Sequence, residues 1–497
     1  MHVSLIVFLV FFAFVTLAGF WAARWRRPLA GIHSLEEWGL AGRSFGTWIT
    51  WFLVGGDAYT AYTVIAVPAA LYGAGASAFF ALPYAVIAYP YMLLVLPRLW
   101  TICHRRNYVT FADFVRGRYG FRPLTLAIAL TGILAVMPYI ALQLVGMRVV
   151  LAALGLAGEW PLIAAFIILA AYTYSSGLRA PAVIAIVKDV MLYAMVLAAI
   201  VWLPLKLGGY AHIFAVANQA LALHKPPTSI MLAPSQFLAY STLAFGSAIA
   251  LMLYPHTATG VLSANSANAV RRNAAMLPAY SFLLGLIALL GYMAIAAGIK
   301  TTDTSSVIPL LFLKEFPAWF AGFCLSAIAV GALVPAAIMS IAASNLFTRN
   351  IWGELTRTKM TPQQESSMAK IVSLLVKFGA LLFVLKLKTA YAIQMQLLGG
   401  IWIGQIFPSV VLGVFTKWLH PWALFAGWLA GMALGTWMAW TLSLKSSVFF
   451  IPHIGGVYAA VPALLLNLTV AVILTLILHP LNLAPTLDQT DPAAYIG

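Results

Sequence analysis

Apolar and polar positions divide the chain into thirteen apolar runs, at about 3–22, 46–72, 76–101, 124–152, 160–176, 180–205, 235–256, 274–299, 316–346, 368–387, 390–415, 418–443 and 457–479. A helix needs ~20 apolar residues to cross a bilayer, and every run is near or above that except the short one at 160–176. The pattern predicts an all-α polytopic membrane protein of about 13 transmembrane helices. The run 3–22 has no basic stretch before it and is long enough to span, so it reads as a helix rather than a signal peptide.

One run carries polar groups where a plain span has none. Residues 42–73 hold the acid Asp57, the pair Gly55 and Gly56, and the hydroxyls of Tyr59, Thr60, Tyr62 and Thr63. A charge at mid-membrane costs at least ~2.5 kcal/mol on insertion scales, so it is usually functional and paired. Paired glycines loosen a helix, and loosened backbone persists in a membrane only where it lines a cavity. A kinked helix whose hydroxyls bond its own carbonyls is the plainer alternative. The functional reading is a mid-membrane binding site on a broken helix.

Composition agrees: 63% of residues are hydrophobic, 8% are charged, and the mean hydropathy is +0.96. Soluble domains are about 25% charged. The net charge of +16 does not point to nucleic acid, because the basic residues sit in short loops between runs. With the loops assigned alternately and the N-terminus outside, eighteen basic residues fall on the inner side and seven on the outer. That bias predicts an N-terminus outside and a cytoplasmic C-terminus, in a plasma membrane of the bacterial inner-membrane kind. The loop 104–120 reads as an amphipathic segment on the membrane face, its aromatics at the interface and its arginines toward phosphates. Loop 347–367 is polar with room for a short helix. Cys103 and Cys324 lie in different runs and form no metal or disulfide pattern. No P-loop, GxSxG, HExxH or Cys/His cluster occurs, which leaves ATP hydrolysis and enzymatic catalysis without sequence support.

Several stretches then resemble one family in order: GLAGRSFGTWITW followed by a polar break and Pro68, YVTFADFVRGRYG at 108–120, PYIALQLVG at 138–146, YTYSSGLRAPAVIAIVKDV at 172–190, PAAIMS at 335–340, and LLGGIWIGQIFPSVVLGVFTKW at 397–418. The chain resembles the sodium:solute symporters, and the GGDAYTAYT, YSSGLRAPA and VKD segments resemble their monocarboxylate permease branch, which carries lactate, pyruvate and related acids. The resemblance implies a LeuT-type fold of two inverted five-helix repeats. Here 1–45 would hold the first helix and an inner loop, 46–205 the first repeat, 235–415 the second, and 416–497 peripheral helices and a tail. It also implies that the second and seventh spans are discontinuous around the substrate, with Gly246 and Ser247 offering the seventh-span break.

The resemblance further implies Na+ as the cation, held by the carbonyls of Gly56, Tyr59 and Ala337 and the hydroxyl of Ser340. A second hydroxyl is expected one position later, but this chain has Ile341, which cannot ligate a cation. At ~1.5 Å rise per residue, Asp57, Lys188 and Ser340 lie at one depth, roughly 13–15 Å from the inner side. Some proton-coupled relatives of this fold place a lysine where sodium would sit. The Lys188 ammonium, next to Asp189, is the candidate stand-in, which makes H+ the alternative coupling ion. A fixed ion pair of Lys188 with Asp189 or Asp57 is the bland alternative. The family acid on the second helix aligns at Ala58, one residue after Asp57.

A carboxylate substrate suits helix N-termini and hydroxyls, so Thr60, Tyr62 and Thr63 are candidate substrate residues, with Phe245 and Tyr240 as an aromatic wall and Gln143 and Gln394 in reach. Arg148 and Lys377 read as snorkelling cations, and His256 as a residue at the inner end of its span. The resulting expectation is a symporter of small monocarboxylates coupled to Na+ or H+, with no other cofactor, set in a lipid bilayer and with no nucleic-acid partner. The alternatives are a sodium-coupled amino-acid symporter of the proline type and a transporter-like membrane sensor.

Overall fold

The computed structural model describes residues 2–25, 31–56, 59–386, 392–481 and 488–490. Asp57 and Ala58 lie outside the described residues. Eleven helices among the described residues are long and apolar enough to cross a membrane. The expected count of thirteen is not reached, for two reasons. The run 46–72 is not one helix but four short pieces, Thr47–Thr50, Trp51–Gly55, Tyr62–Ala66 and Val67–Ala74. The helix Glu159–Ser176 carries Glu159 at one end and hydroxyls at the other, which dilute its apolar middle.

The helix Ala318–Leu346 is the centre of the bundle. Its most apolar window is wholly buried, and it carries no Asp, Glu, Lys, Arg or His. It packs against Arg122–Ala153, His2–Trp21, Arg179–Lys206 and Pro362–Lys386. Its many Ala, Gly and Ser residues permit such close approach, which in lipid replaces the hydrophobic effect as the source of helix association. His2–Trp21, by contrast, exposes Ile6, Val10, Phe14 and Leu17 along one side, as a lipid-facing helix does.

The arginine-rich loops close one end of the bundle by ion pairing. Arg43 pairs with Glu36, Arg179 with Glu37, Arg116 and Arg122 with Glu354, Arg349 with Glu365, and Arg118 and Lys417 with Asp488. The segment 104–120 therefore differs from expectation. Its helix Phe111–Tyr119 starts with a Thr110–Asp113 capping box and buries Phe111, Phe114, Val115 and Tyr119, while Arg116 and Arg118 serve protein carboxylates rather than lipid phosphates. At the other end a small hairpin, Val448–Ile451 with Gly455–Tyr458, packs on the helix Phe237–Leu253.

The seventh span breaks later than Gly246 and Ser247. Phe237–Leu253 runs unbroken through both; Tyr254 then turns to φ −59°, ψ 139°, and a new helix, Pro255–Leu262, begins. Pro255 explains the position, since it lacks an N–H to continue the first helix and its ring disfavours helical backbone at Tyr254.

Candidate functional site

Lys188 and Asp189 lie in the middle of the helix Arg179–Lys206, both fully buried. The Lys188 ammonium donates to the carbonyls of Gly56 and Tyr59, the latter at 3.2 Å, and stands 2.9 Å from Asp189 Oδ1. Of the ammonium's three N–H donors, two go to carbonyls, while Asp189 Oδ1 balances the charge at ion-pair distance without a hydrogen bond. The Gly56 carbonyl also accepts the Tyr59 N–H at 3.1 Å, and both carbonyls lie between the helical pieces that end at Gly55 and restart at Tyr62; they are two of the oxygens that the family resemblance assigns to a cation.

The paired glycines have a spatial reason. A Cβ on Gly55 would collide with the Tyr280 ring, and one on Gly56 would stand 2.7 Å from Asp189 Oδ2 and 3.0 Å from Lys188 Nζ. Side chains of other helices thus press against the open backbone itself. Tyr280, from the helix Pro278–Ala296, donates its hydroxyl to Asp189 Oδ2 at 2.8 Å, and its own carbonyl accepts from Tyr59 Oη at 2.6 Å. Sequence reasoning missed Tyr280; nothing in the local pattern marks a tyrosine near the start of a helix as the partner of a distant carboxylate.

Ala337 and Ser340 lie on the central helix, both fully buried. Ser340 donates to the Ala337 carbonyl at 2.8 Å and accepts from Ser373 Oγ at 3.2 Å. Lys377 Nζ donates to Ser373 Oγ at 2.9 Å. Lys377 is 1% exposed, so it does not snorkel; fifteen residues into the helix Pro362–Lys386, it is too far from either end for its head to reach water.

The substrate candidates separate. Tyr62 lines a tight cleft of about 10 Å³ together with Tyr84, Tyr139, Ser247, Tyr254, Gln396, Tyr458 and apolar neighbours. Tyr62 also borders a wider cavity of about 270 Å³ lined by Tyr240, Leu243, Gln394 and Ser446. Thr60 is buried, accepting from the Tyr62 N–H at 3.0 Å, and Thr63 is buried in the same segment. Gln143 accepts from the Ala61 N–H at 3.0 Å, so its side-chain carbonyl ties the helix Arg122–Ala153 to the backbone of the interrupted span. Phe245 is 51% exposed on the outer side of its helix and forms no wall of either cavity. His256 is not at a loop end. It is buried in the first turn of Pro255–Leu262, stacked 5.1 Å from Tyr254 and edge-on to Tyr139 at 5.6 Å. Arg148 donates to the Val384 carbonyl at 3.1 Å and borders a separate cavity with Asp303 and Glu159.

Two helices broken at mid-bundle, one of them around a buried cation, form the architecture of a secondary transporter. The sodium:solute symporter family matches residues 38–435, and the chain belongs to that family. It is 53% identical over 479 residues to the monocarboxylate transport permease protein of Rhizobium johnstonii, covering 96% of this chain and 97% of that one. It is 35% identical over 410 residues to the uncharacterized symporter YodF of Bacillus subtilis, covering 81% of each. A solved structure of a Na+-coupled sialic acid symporter, substrate-bound and outward-open, superposes with a TM-score of 0.77 at 16% identity over 96% of this chain and 97% of that one. At that identity the likeness speaks for the fold alone. The fold is therefore LeuT-type in a multi-pass membrane protein.

Proposed function

We propose that this protein is a symporter of small monocarboxylates in a bacterial inner membrane, and that a proton carried by Lys188 does the work sodium does elsewhere in the family. The observation that carries the coupling is the Lys188 ammonium on the Gly56 and Tyr59 carbonyls, against Asp189. An alkali ion would need those same oxygens, and one hydroxyl it would also use is replaced by Ile341. Protonated, Lys188 ties the second span to the helix Arg179–Lys206. Neutral, it loses the ion pair with Asp189, and the tie between the two helices weakens. Two inverted repeats, 46–205 and 235–415, rocking about this tie would give alternating access.

The substrate reading rests on the tyrosine-lined cleft. Tyr254 and Tyr458 donate their hydroxyls to the Gln396 and Leu397 carbonyls, which leaves the phenols of Tyr62 and Tyr84, Ser247 and the Gln396 amide as donors to a carboxylate, and the helix Pro255–Leu262 begins at Tyr254 on the wall, bringing a positive dipole end close. Aromatic faces suit a short apolar tail. The name of the Rhizobium johnstonii relative supports the same class. Saturable uptake of labelled lactate into proteoliposomes, competed by pyruvate and indifferent to proline, is the expected result. Competition by proline in place of pyruvate would move the assignment to the amino-acid symporters, and saturable uptake of any solute would rule out a purely sensory role.

A further inference from the structure

We propose that Lys377 is a second proton-binding site inside the membrane, whose charge state is read by the helix at the cation position through the hydroxyls of Ser373 and Ser340. The proposal rests on the reading of the protein as a cation-coupled symporter. Two buried lysines are held in opposite ways. Lys188 donates to two carbonyls and has a carboxylate at ion-pair distance. Lys377 is as deeply buried, yet among the described residues it has one acceptor, the Ser373 hydroxyl, and no carboxylate within ion-pair distance. A buried ammonium persists when paired and hydrogen-bonded. A neutral amine, with two N–H donors and one lone pair, makes smaller demands and fits these surroundings.

The charged groups on the packed elements are committed elsewhere. Lys377's helix packs on Ala318–Leu346, Arg122–Ala153, Glu159–Ser176, Leu35–Leu40 and the turn Phe347–Trp352. The first of these has no charged residue. Arg122 pairs with Glu354, Arg349 with Glu365, and Glu36 and Glu37 with Arg43 and Arg179. Arg148 holds the Val384 carbonyl, Glu159 borders the separate cavity with it, and Lys370 lies over the Tyr174 ring. Lys386 ends Lys377's own helix, nine residues away. The phenols of Tyr139, Tyr172 and Tyr174 are on these elements and carry no charge near neutral pH.

The hydroxyl chain has a direction. Lys377 donates to Ser373, Ser373 to Ser340, and Ser340 to the Ala337 carbonyl. When water admitted to the site in another transport state takes the proton of Lys377, the amine's lone pair becomes an acceptor. Both hydroxyls can then rotate so that Ser340 donates to Ser373 and Ser373 to Lys377, releasing the Ala337 carbonyl. The net change is lysine ammonium plus water to lysine amine plus hydronium, with no other bond made or broken. Ala337 is six residues, about 9 Å, along the same helix from Gly331, where a Cβ would stand 3.9 Å from the Tyr59 carbonyl that Lys188 binds. The state of Lys377 thus reaches the helix that flanks the first cation.

The test uses two substitutions that fix opposite states, Lys377→Arg as permanently charged and Lys377→Met as permanently neutral. Lactate uptake into proteoliposomes is measured across pH. Lys377→Arg is expected to follow the acid limb of the wild-type profile at every pH, and Lys377→Met the alkaline limb. In parallel, the melting temperature of the detergent-purified protein without substrate is followed across pH, and one step seen in wild type is expected to vanish in both variants. Wild-type profiles retained in both variants overturn the proposal. Should Lys377→Met fail to fold, Ser373→Ala keeps the lysine and cuts the chain; it is expected to retain the melting step and lose the matching step in uptake, and retention of both overturns the relay. The melting arm needs no substrate. A lysine-dependent step without lactate uptake therefore rejects the transport reading and keeps the site, and uptake without the step does the reverse.

Discussion

Gly55 and Gly56 leave no room for a side chain beside the buried ion pair. A single methyl on Gly55 meets the Tyr280 ring, and one on Gly56 meets the Lys188–Asp189 pair. Overpacking a filled core costs about 1–3 kcal/mol. Gly55→Ala is expected to lower the thermal stability of the purified protein by roughly that amount and to depress uptake, because Tyr280 must leave Asp189 to make room. Unchanged stability and uptake would mean that the ring has slack the packing does not suggest. At the edge of the bundle, Asp488 shows how a single carboxylate ties down the C-terminal segment. Partial burial pushes its carboxyl upward, but hydrogen bonds from Thr490 and Lys417 and the charge of Arg118 outweigh that and hold it below the usual range. A depressed folded value means stability present above the ordinary carboxylate range and lost as pH falls through the lowered one. Amide exchange at Gln489, whose N–H bonds the Gly117 carbonyl at 2.8 Å, should stay slow at neutral and mildly acidic pH and quicken only below about pH 4. Asp488→Asn should exchange fast throughout.

Among the elements, the two broken helices decide what the site can do, and they are broken by different means. The seventh span stops because Pro255 cannot continue it, and the second opens beside glycines under pressure from neighbouring helices. Buried backbone N–H groups of the interrupted second span need acceptors. Gln143 supplies one, to the Ala61 N–H. Gln143→Leu leaves that amide without its acceptor, a cost of about 1–3 kcal/mol, and should reduce both stability and uptake; Gln143→Glu keeps an acceptor and should restore part of the loss. Equal damage in both variants would show that side-chain shape rather than the hydrogen bond matters. The same elements mark where sequence reading reaches its end. The spans were legible because ~20 apolar residues have one use. Lys188 and Asp189 stood out because charges in a span are costly. Lys377 carried the same signal, yet sequence depth says nothing of which neighbour a side chain meets, and Ser373 on the turn before it was an unmarked serine. Phe245 was placed on the wrong side because the helix Phe237–Leu253 is apolar on every face and gives no rotational cue. Tyr280 was invisible because its partner lies 91 residues away.

At the scale of the whole molecule, the LeuT-type bundle has one end closed by arginine–carboxylate pairs and, toward the other, a cavity of about 270 Å³ running past Tyr240, Gln394 and Ser446. On the proposed orientation that cavity opens outward. Cys103 and Cys324 are both buried, so an introduced thiol has little background. Ser446→Cys should be modified by a membrane-impermeant thiol reagent added to intact cells, and a saturating substrate should slow the modification. Modification only in inside-out vesicles would reverse the assigned topology. On the proposed reading, the architecture accounts for alternating access, the tyrosine-lined cleft would take a small acid, and the coupling ion would depend on one ammonium in a site that the family resemblance assigns to sodium.

The decisive measurement is therefore labelled lactate or pyruvate uptake into proteoliposomes of pure protein, driven by a pH gradient alone and then by a sodium gradient alone, for wild type and Lys188→Ala, with protein-free liposomes to subtract leakage of the neutral acid. The account predicts accumulation driven by the pH gradient in wild type, abolished in Lys188→Ala, with no response to sodium. Accumulation driven by sodium and indifferent to the pH gradient would contradict it, and would mean that a sodium ion displaces the Lys188 ammonium from the Gly56 and Tyr59 carbonyls during transport.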